Sequence, residues 1–352
     1  MNIENSLSKL EKLGKKKNIS FFESLRIKKI LNFFLQTDNP EFLEQLRLTA
    51  VKTRNKTYQE KVFVRGLIEF SNLCCNFCKY CGLNIYNNKV TRYILDKGEI
   101  LSQVEVLYTK GIKTVVLQSG EMENQTEKIS DIVKSIKEKY PDIAVTLSIG
   151  EKKFQDLKIL KEAGTDRYLL RIETTNRKLY SNLHRQKRIL NTRIKTLKSL
   201  KKLRYQTGSG IMTGLPGQKT GDITKDLVFF KKNNFEMIGI GPFIPHPDTE
   251  LKYAPRGIPE LTLKVIALTR IILPYSLIPA TTALGSLEKD YRVDALKWGA
   301  NVLMPNFTPD ILKARYEIYP GKESDSSLKN LELLAKKAGM ILDFSRGDAP
   351  GF

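Results

Sequence analysis

The sequence predicts an α/β protein, a (β/α)8 barrel of the TIM type preceded by a helical N-terminal extension. Three observations lead to that class. From Phe63 onward, short apolar runs alternate with longer amphipathic stretches, the pattern of repeated βα units. The runs number eight. They are nearly continuous rather than alternating with polar residues, as parallel strands covered on both faces must be, and eight such units favour a closed barrel over an open sheet.

Residues 1–60 contain no strand-like run and form the extension, with helices expected at 23–35 and 40–55. The barrel is assigned to 61–321. Its first strand is expected at 64–70, where apolar residues lead into a cysteine-rich loop, and its first helix at 97–110. The next units pair strand 114–118 with helix 128–139, 144–149 with 154–163 and 168–173 with 191–203. They continue with 208–213 and 223–233, 237–241 and 261–273, 278–283 and 288–298, and 301–304 and 309–319. Each first member is a short apolar run and each second member has helical spacing. Residues 322–352 are expected to form a C-terminal helix and tail packed on the barrel.

Three of the four cysteines, Cys74, Cys78 and Cys81, form a C-x3-C-x2-C run just after the first strand. That spacing can place three thiolates around a cubane iron–sulfur cluster and leave one iron without a protein ligand, a position open to chemistry. Cys75 is the immediate neighbour of Cys74 and is poorly placed to reach a second corner. Zinc is the competing reading, but structural zinc sites use four Cys or His ligands, and His184 and His246 lie more than 100 residues away in sequence. A disulfide is disfavoured because the first twenty residues are charged and lack the apolar core of a secretion signal. No run of 18 apolar residues occurs, so a cytoplasmic protein without a membrane span is expected.

Charge is the least specific signal. Fifty-nine Lys and Arg stand against 38 Asp and Glu, a formal net charge of +21. The lysines are spread over nearly every expected helix, with no aromatic interleaving suited to base stacking. Patch rather than total charge marks nucleic-acid binding, so solvated helix faces explain the excess and no nucleic-acid partner is expected.

In such a barrel the chemistry gathers at the C-terminal ends of the strands. There the chain places Ser71 and Asn72, then Ser119, Gly120 and Glu121, Ser148 before Gly150 and Glu151, Arg171 and Glu173, Thr281 and Thr282, and Asn306. Any one of these could simply cap the following helix. Arg171 and Glu173 share one face of a strand, and an Arg-x-Glu pair inside a barrel mouth needs partners or a ligand.

With the cysteine loop so placed, the chain resembles the radical S-adenosylmethionine (SAM) superfamily, whose cluster signature is C-x3-C-x2-C, with Tyr80 as the aromatic residue before Cys81. Within it the segments IGIGPFIPHPDT, PATTALG and MPNFTP resemble the HydE family of [FeFe]-hydrogenase maturases. Methylornithine synthase and biotin synthase are similar in fold and cluster loop. The resemblance spans about residues 63–321 and implies one [4Fe–4S] cluster held by Cys74, Cys78 and Cys81, with SAM bound at the open iron under anaerobic conditions. It further implies SAM contacts from Gly120, Glu121, Ser148, Glu173, Arg193 and Tyr80. By sequence alone Arg193 is a helix-surface arginine. The substrate side would comprise Arg65, Gln118, Arg171, Met237, Thr281, Thr282, Met304, Tyr316 and Tyr319. The methionines suit ordinary packing equally well, and the tyrosines, at i and i+3, suit a buried helix stripe.

The family's activity would be generation of a 5′-deoxyadenosyl radical that acts on a small organometallic iron–carbonyl–cyanide–cysteine precursor in H-cluster assembly. The implied partners are the maturases HydG and HydF and a one-electron donor of the ferredoxin or flavodoxin type. A monomer is expected. The alternative is a radical SAM mutase or sulfur-insertion enzyme acting on a small amino acid or cofactor precursor.

Overall fold

A computed structural model describes residues 2–184, 189–322 and 327–352. Three helices open the chain, α1 (Ile3–Lys15), α2 (Phe21–Gln36) and α3 (Pro40–Tyr58). Their starts follow local chemistry: Ser20 and Glu23 make a capping box on α2, and Asn39 caps α3 ahead of Pro40. Strands β1 (Lys61–Val64) and β2 (Gly66–Ser71) then precede α4 (Lys97–Thr109), β3 (Thr114–Ser119), α5 (Thr126–Lys139), β4 (Ala144–Ser148) and α6 (Phe154–Glu162). Next come β5 (Arg167–Leu169), α7 (Arg177–Leu183), α8 (Leu190–Lys202), β6 (Gln206–Thr213), α9 (Thr220–Asn233), β7 (Met237–Pro242) and α10 (Pro259–Ile272). The chain ends with α11 (Thr282–Gly285), α12 (Arg292–Lys297), β8 (Val302–Leu303), α13 (Asp310–Lys313), α14 (Leu328–Lys337) and β9 (Ile341–Asp343).

All strand pairings are parallel. One sheet runs β2-β3-β4-β5-β6-β7 and a second runs β8-β1-β9. Isolated parallel bridges link them: Met237 with Leu277, Ile240 with Ala280, and Pro279 with Val302. β8 then pairs with β1, which continues into β2 across Arg65, so the succession of pairings returns to its start. The helices α1, α2 and α3 pack against α10, and α2 against α9. Lys231 of α9 fastens this layer by donating to the carbonyls of Gly14 (2.8 Å) and Lys16 (2.6 Å) at the end of α1.

The structure departs from the sequence expectation at several elements. The expected strand 278–283 makes only single bridges, because Pro279 has no N–H to donate and Thr282 already begins α11. The expected 64–70 strand is split at Arg65, and the expected 168–173 strand ends at Leu169. Helix 309–319 shrinks to α13, and 288–298 to α12. β9, absent from the expectation, lies parallel to β1.

Accessibility alternates along the barrel strands in a way that locates a hollow. Gln118, Ser148, Leu169, Arg171, Met304 and Asn306 are partly accessible, while their immediate neighbours Leu117, Leu147, Leu170, Ile172 and Leu303 are buried in the outer core. Side chains alternate faces along a strand, so the accessible set points inward. Gly208, Gly210, Gly239 and Gly241 add space on the same side: a Cβ on them would approach Met237, Arg171 or Thr281. The chain's last residues floor this hollow at the opposite end of the strands. The fully buried Arg167 donates to Asp348 (2.6 Å) and to the carbonyl of Arg346 (2.6 Å), and Ala349 N–H donates to Gln206 (3.0 Å). Burial alone would raise the Asp348 carboxyl, but Arg346 and Arg167 outweigh it and hold its pKa at about 2.

Candidate active site

The cysteine loop leaves β2 at Ser71 and crosses the mouth of the hollow. Asn72 anchors its start, donating to the carbonyls of Thr91 and Arg315 and accepting from Tyr93 N–H (2.7 Å). Arg92 gathers four loop carbonyls, those of Asn72, Leu83, Asn84 and Asn87. Cys75 N–H donates to Glu121 O (2.9 Å), and Gly82 N–H to Ile318 O (3.0 Å). Gly120 is required here, because a Cβ at that position would stand 2.2 Å from Leu73 O and 2.8 Å from the Cys74 Cβ.

All four cysteines are free and partly accessible. Burial pushes the Cys78 and Cys81 thiols up, Cys81 to about 12, and the nearness of the other thiolates pushes them further in the same direction. Burial also raises Cys74. Three thiolates brought together in this way call for a cationic centre. Among the described residues no three His, Cys, Asp or Glu side chains stand close enough to share a single metal ion. A cubane cluster, which offers a separate iron to each cysteine, fits this donor set better than zinc does. The two histidines, remote in sequence, both pack on the loop. His184 forms a bridge with Cys78 and directs its ring nitrogens to Tyr180 O (2.9 Å) and Tyr80 OH (3.4 Å). His246 lies beside Gly82 with Nδ1 accepting from Asp248 N–H (3.1 Å).

Behind the loop lies a charge network. Arg193, on the buried stripe of α8, donates through Nε to Glu151 (2.8 Å) and to Tyr180 OH (3.1 Å), and through Nη1 to Arg171 O (3.0 Å). Its Nη2 stands 3.8 Å from Glu121. Burial would lower its pKa, but Tyr180, Glu151 and Glu121 outweigh that and raise it, so the guanidinium stays charged. Glu121 also accepts from Asn76 (3.1 Å) and presses on Gly150, which has φ +81° and whose Cβ would lie 2.3 Å from the Glu121 side chain. The surface position that the sequence assigns to Arg193 is therefore corrected: its side chain is 10% exposed and crosslinks three strand ends.

Arg171 and Glu173 form a two-bonded pair, Nε to Oε1 at 3.0 Å and Nη2 to Oε2 at 3.1 Å. Arg171 keeps 32% of its side chain accessible although protein encloses it, so the exposed part faces the hollow. Glu173 has φ 61°, a strained conformation for a residue other than glycine, and such strain concentrates at functional sites.

The comparisons with known proteins agree with this geometry. The model of the radical SAM superfamily matches residues 68–268. The chain is 45% identical over 322 residues to the [FeFe] hydrogenase maturase subunit HydE of Thermotoga maritima, covering 89% of this chain and 92% of that one. This protein belongs to the radical SAM superfamily and, within it, to the HydE family. Among other relatives, a 3-methylornithine synthase of Methanosarcina acetivorans is 30% identical over 78% of this chain and 77% of its own. The crystal structure of methylornithine synthase (PylB) superposes with a TM-score of 0.79 at 25% identity, covering 95% and 97% of the two chains. Radical SAM membership implies an iron–sulfur cluster and SAM as cofactors.

The residues that the HydE resemblance assigns to the substrate side fall at two levels. Arg171, Gln118, Thr281, Thr282, Tyr316 and Tyr319 gather at the upper hollow. Thr281 donates to Ile240 O (3.2 Å), and the Thr282 and Tyr319 hydroxyls meet at 2.6 Å. Tyr316 lies within hydrogen-bond reach of Gln118. The tyrosines do not share a helix face as expected, since α13 ends at Lys313; they enter from a strap formed by residues 315–322. Arg65 and Met237 stand at the foot of the hollow instead, where Arg65 Nη1 approaches Met237 Sδ (2.9 Å) and Nη2 reaches the tail at Gly347 O (3.4 Å). Met304 packs against the apolar cluster there that includes Met237. Among the described residues Arg65 Nε and Thr146 Oγ1 are buried with no hydrogen-bond partner in the protein.

The turn after Glu173 is held from outside the barrel by Asp226 of α9, which accepts from Thr175 N–H (2.6 Å) and Thr175 OH (2.5 Å). Burial raises the Asp226 carboxyl to about 7, against the opposing pull of Thr175. A carboxyl whose folded-state pKa lies above its unfolded value binds more protons in the native state, so stability falls as pH rises from about 4 to about 7. Asp226→Asn is expected to gain melting temperature relative to the parent across that window and to show no pH-dependent advantage below it. A melting-temperature difference that stays flat from pH 4 to 8 would rule this out.

Proposed function

We propose that this protein is a maturase of the HydE type, reductively cleaving SAM to act on an iron–carbonyl–cyanide–cysteine precursor of the [FeFe]-hydrogenase H-cluster. The carrying observation is a three-cysteine loop set across the mouth of an enclosed polar hollow, in a chain 45% identical to a HydE maturase. Cys74, Cys78 and Cys81 would hold the cluster and Cys75 would not. Bound there, the cluster would supply the one electron needed for reductive cleavage of SAM to methionine and a 5′-deoxyadenosyl radical. Arg193 orients the methionine carboxylate, Glu121 and the Gly120 backbone receive its amino group, and Glu173 and Ser148 meet the ribose side. Tyr80 walls the site. The barrel and its tail exclude water and other hydrogen donors.

The precursor occupies the hollow between Arg171, Thr281 and Thr282 above and Arg65 below, where arginine donors suit an anionic ligand. HydG delivers it, HydF receives the product, and a ferredoxin or flavodoxin supplies the electron. The protein works as a monomer. Among the described residues no helix is long and apolar enough to cross a membrane. The test is an anaerobic cell-free maturation assay without endogenous HydE, to which the reconstituted protein restores hydrogen production. SAM cleavage without restoration would move the function to a different small molecule. The full-length superposition on methylornithine synthase favours a radical mutase as the second reading, and product identification separates the two.

A double Thr281→Val, Thr282→Val variant is expected to lose maturation about tenfold or more, and more steeply than 5′-deoxyadenosine formation, because two hydroxyls, one of them holding Tyr319, are removed from the wall of the hollow. Equal loss of both would place these threonines at SAM.

A further inference from the structure

The strap that carries Tyr316 and Tyr319 places a third side chain in the hollow. Lys322 reaches in to pair with Glu69, and both ends are sequestered, with side chains 8% and 0% exposed. Glu69 is the inward residue of β2 and is fixed on every side. Asn306 donates to its carboxylate (3.1 Å), its N–H donates to Thr308 OH (2.8 Å), and Tyr93 OH donates to its carbonyl (2.7 Å). The Lys322 ammonium also lies over the Tyr316 ring, 4.5 Å from its centroid. Tyr316 in turn reaches Gln118 on the next strand.

This arrangement is costly for a purely structural device. Burying both ends of an ion pair returns little net stability, and a strap could be held by apolar contacts alone. Its neighbour Arg171 is held through two bonds to Glu173 and one to Ile211 O, and among the described residues Lys322 makes a hydrogen bond to Glu69 only. A guanidinium has five donors and an ammonium three, so among the described residues each cation keeps two donors beyond those bonds. Lys322 therefore stands beside Arg171 as a second cation of the upper hollow with capacity for a ligand.

We propose that Lys322 is a substrate-contacting residue whose ammonium group meets the anionic end of the small molecule in the hollow, with Glu69 as the positioning residue that holds it there. The inference rests on the reading of the hollow as the reaction chamber, and it adds a cationic contact supplied by the strap to those supplied by the barrel wall.

The test uses reconstituted full-length protein, the variants Lys322→Met, Lys322→Arg and Glu69→Gln, and two probes: the synthetic iron–carbonyl–cyanide–cysteine complex and free L-cysteine, which carries the carboxylate without the iron. Substrate-dependent 5′-deoxyadenosine formation gives KM and kcat for the complex, and calorimetry gives Kd for each probe. Lys322→Met is expected to raise KM and both Kd values about tenfold to a hundredfold with a much smaller change in kcat, the range of a lost charge-assisted bond. Lys322→Arg should recover most of that loss, and Glu69→Gln should fall between. Unchanged affinities in Lys322→Met overturn the proposal. So does a loss of kcat and melting temperature that Lys322→Arg fails to rescue, which marks a structural strap. If the complex is not turned over by the parent protein, the functional reading fails while the L-cysteine isotherms still decide this one. Lysine-dependent carboxylate binding upholds it, and lysine-independent or absent binding sinks it.

Discussion

Cys78→Ala protein is expected to purify without a bound cluster and to form no 5′-deoxyadenosine, a loss of activity to background. The expectation follows from ligand count. The chain has four cysteines, and three of them carry the C-x3-C-x2-C spacing. Removing one leaves two, and Cys75 is badly placed as a replacement because its backbone is pinned to Glu121 O beside Cys74. The Cys78 thiol is also pushed up by burial and by both of its partners, so its deprotonated form depends on a cationic centre. Iron and sulfide analysis together with electron paramagnetic resonance of the reduced protein checks the result. Cys75→Ala is the internal control and should retain a full cluster; loss there, with retention in Cys78→Ala, would reverse the ligand assignment.

Arg193→Met carries the second large effect. The side chain ties Glu151, Glu121, Tyr180 OH and the carbonyl of Arg171 into one unit. Methionine keeps the bulk and removes the charge from beside two sequestered carboxylates. Breaking a buried pair in this way costs about 3–5 kcal/mol, which for a chain of this size lowers the melting temperature by roughly 5–10 °C. Arg193→Lys keeps the charge but not the planar fork and should recover only part of the loss. Calorimetric melting of the apo proteins measures the structural share, and SAM affinity of the reconstituted proteins measures the rest. A melting temperature unchanged in Arg193→Met would show that the network contributes nothing to the fold.

The barrel was legible because parallel strands sheathed by helices must be apolar on both faces, and that requirement marks the chain strongly at 114–118, 144–149 and 237–241. It failed at 278–283 for a local reason: Pro279 cannot donate to a ladder, so an apolar run there joins its neighbours by single bridges. β9 escaped notice because a three-residue segment of partial burial has no periodicity to read. The C-x3-C-x2-C run and the Arg171–Glu173 pair were visible through spacing alone. Arg193 carries a signal of burial in the sequence, since it shares the i, i+3, i+7 stripe of α8 with Leu190, Leu197 and Leu200. Tyr180 carries none, and Glu151 and His184 show only as a strand-end carboxylate and a histidine remote from the cysteines; each matters through neighbours that only the folded barrel supplies. Lys322 is the extreme case, because its burial depends on a strap whose path ignores the helical pattern of its own sequence.

The floor of the hollow bears on how this protein must fold. The first strand, β1, lies between β8 and β9, and the fully buried Arg167 is paired with Asp348. Both closures join segments far apart in sequence: Lys61 meets Ile341, and Arg167 meets a carboxylate 181 positions later. Until they form, β1 lacks a partner on one side and the Arg167 cation is uncompensated. Folding therefore includes a slow, non-local step that leaves the half-built sheet open to aggregation. Cluster loading, which needs an ordered loop at the other end of the same strands, would have to wait for that step.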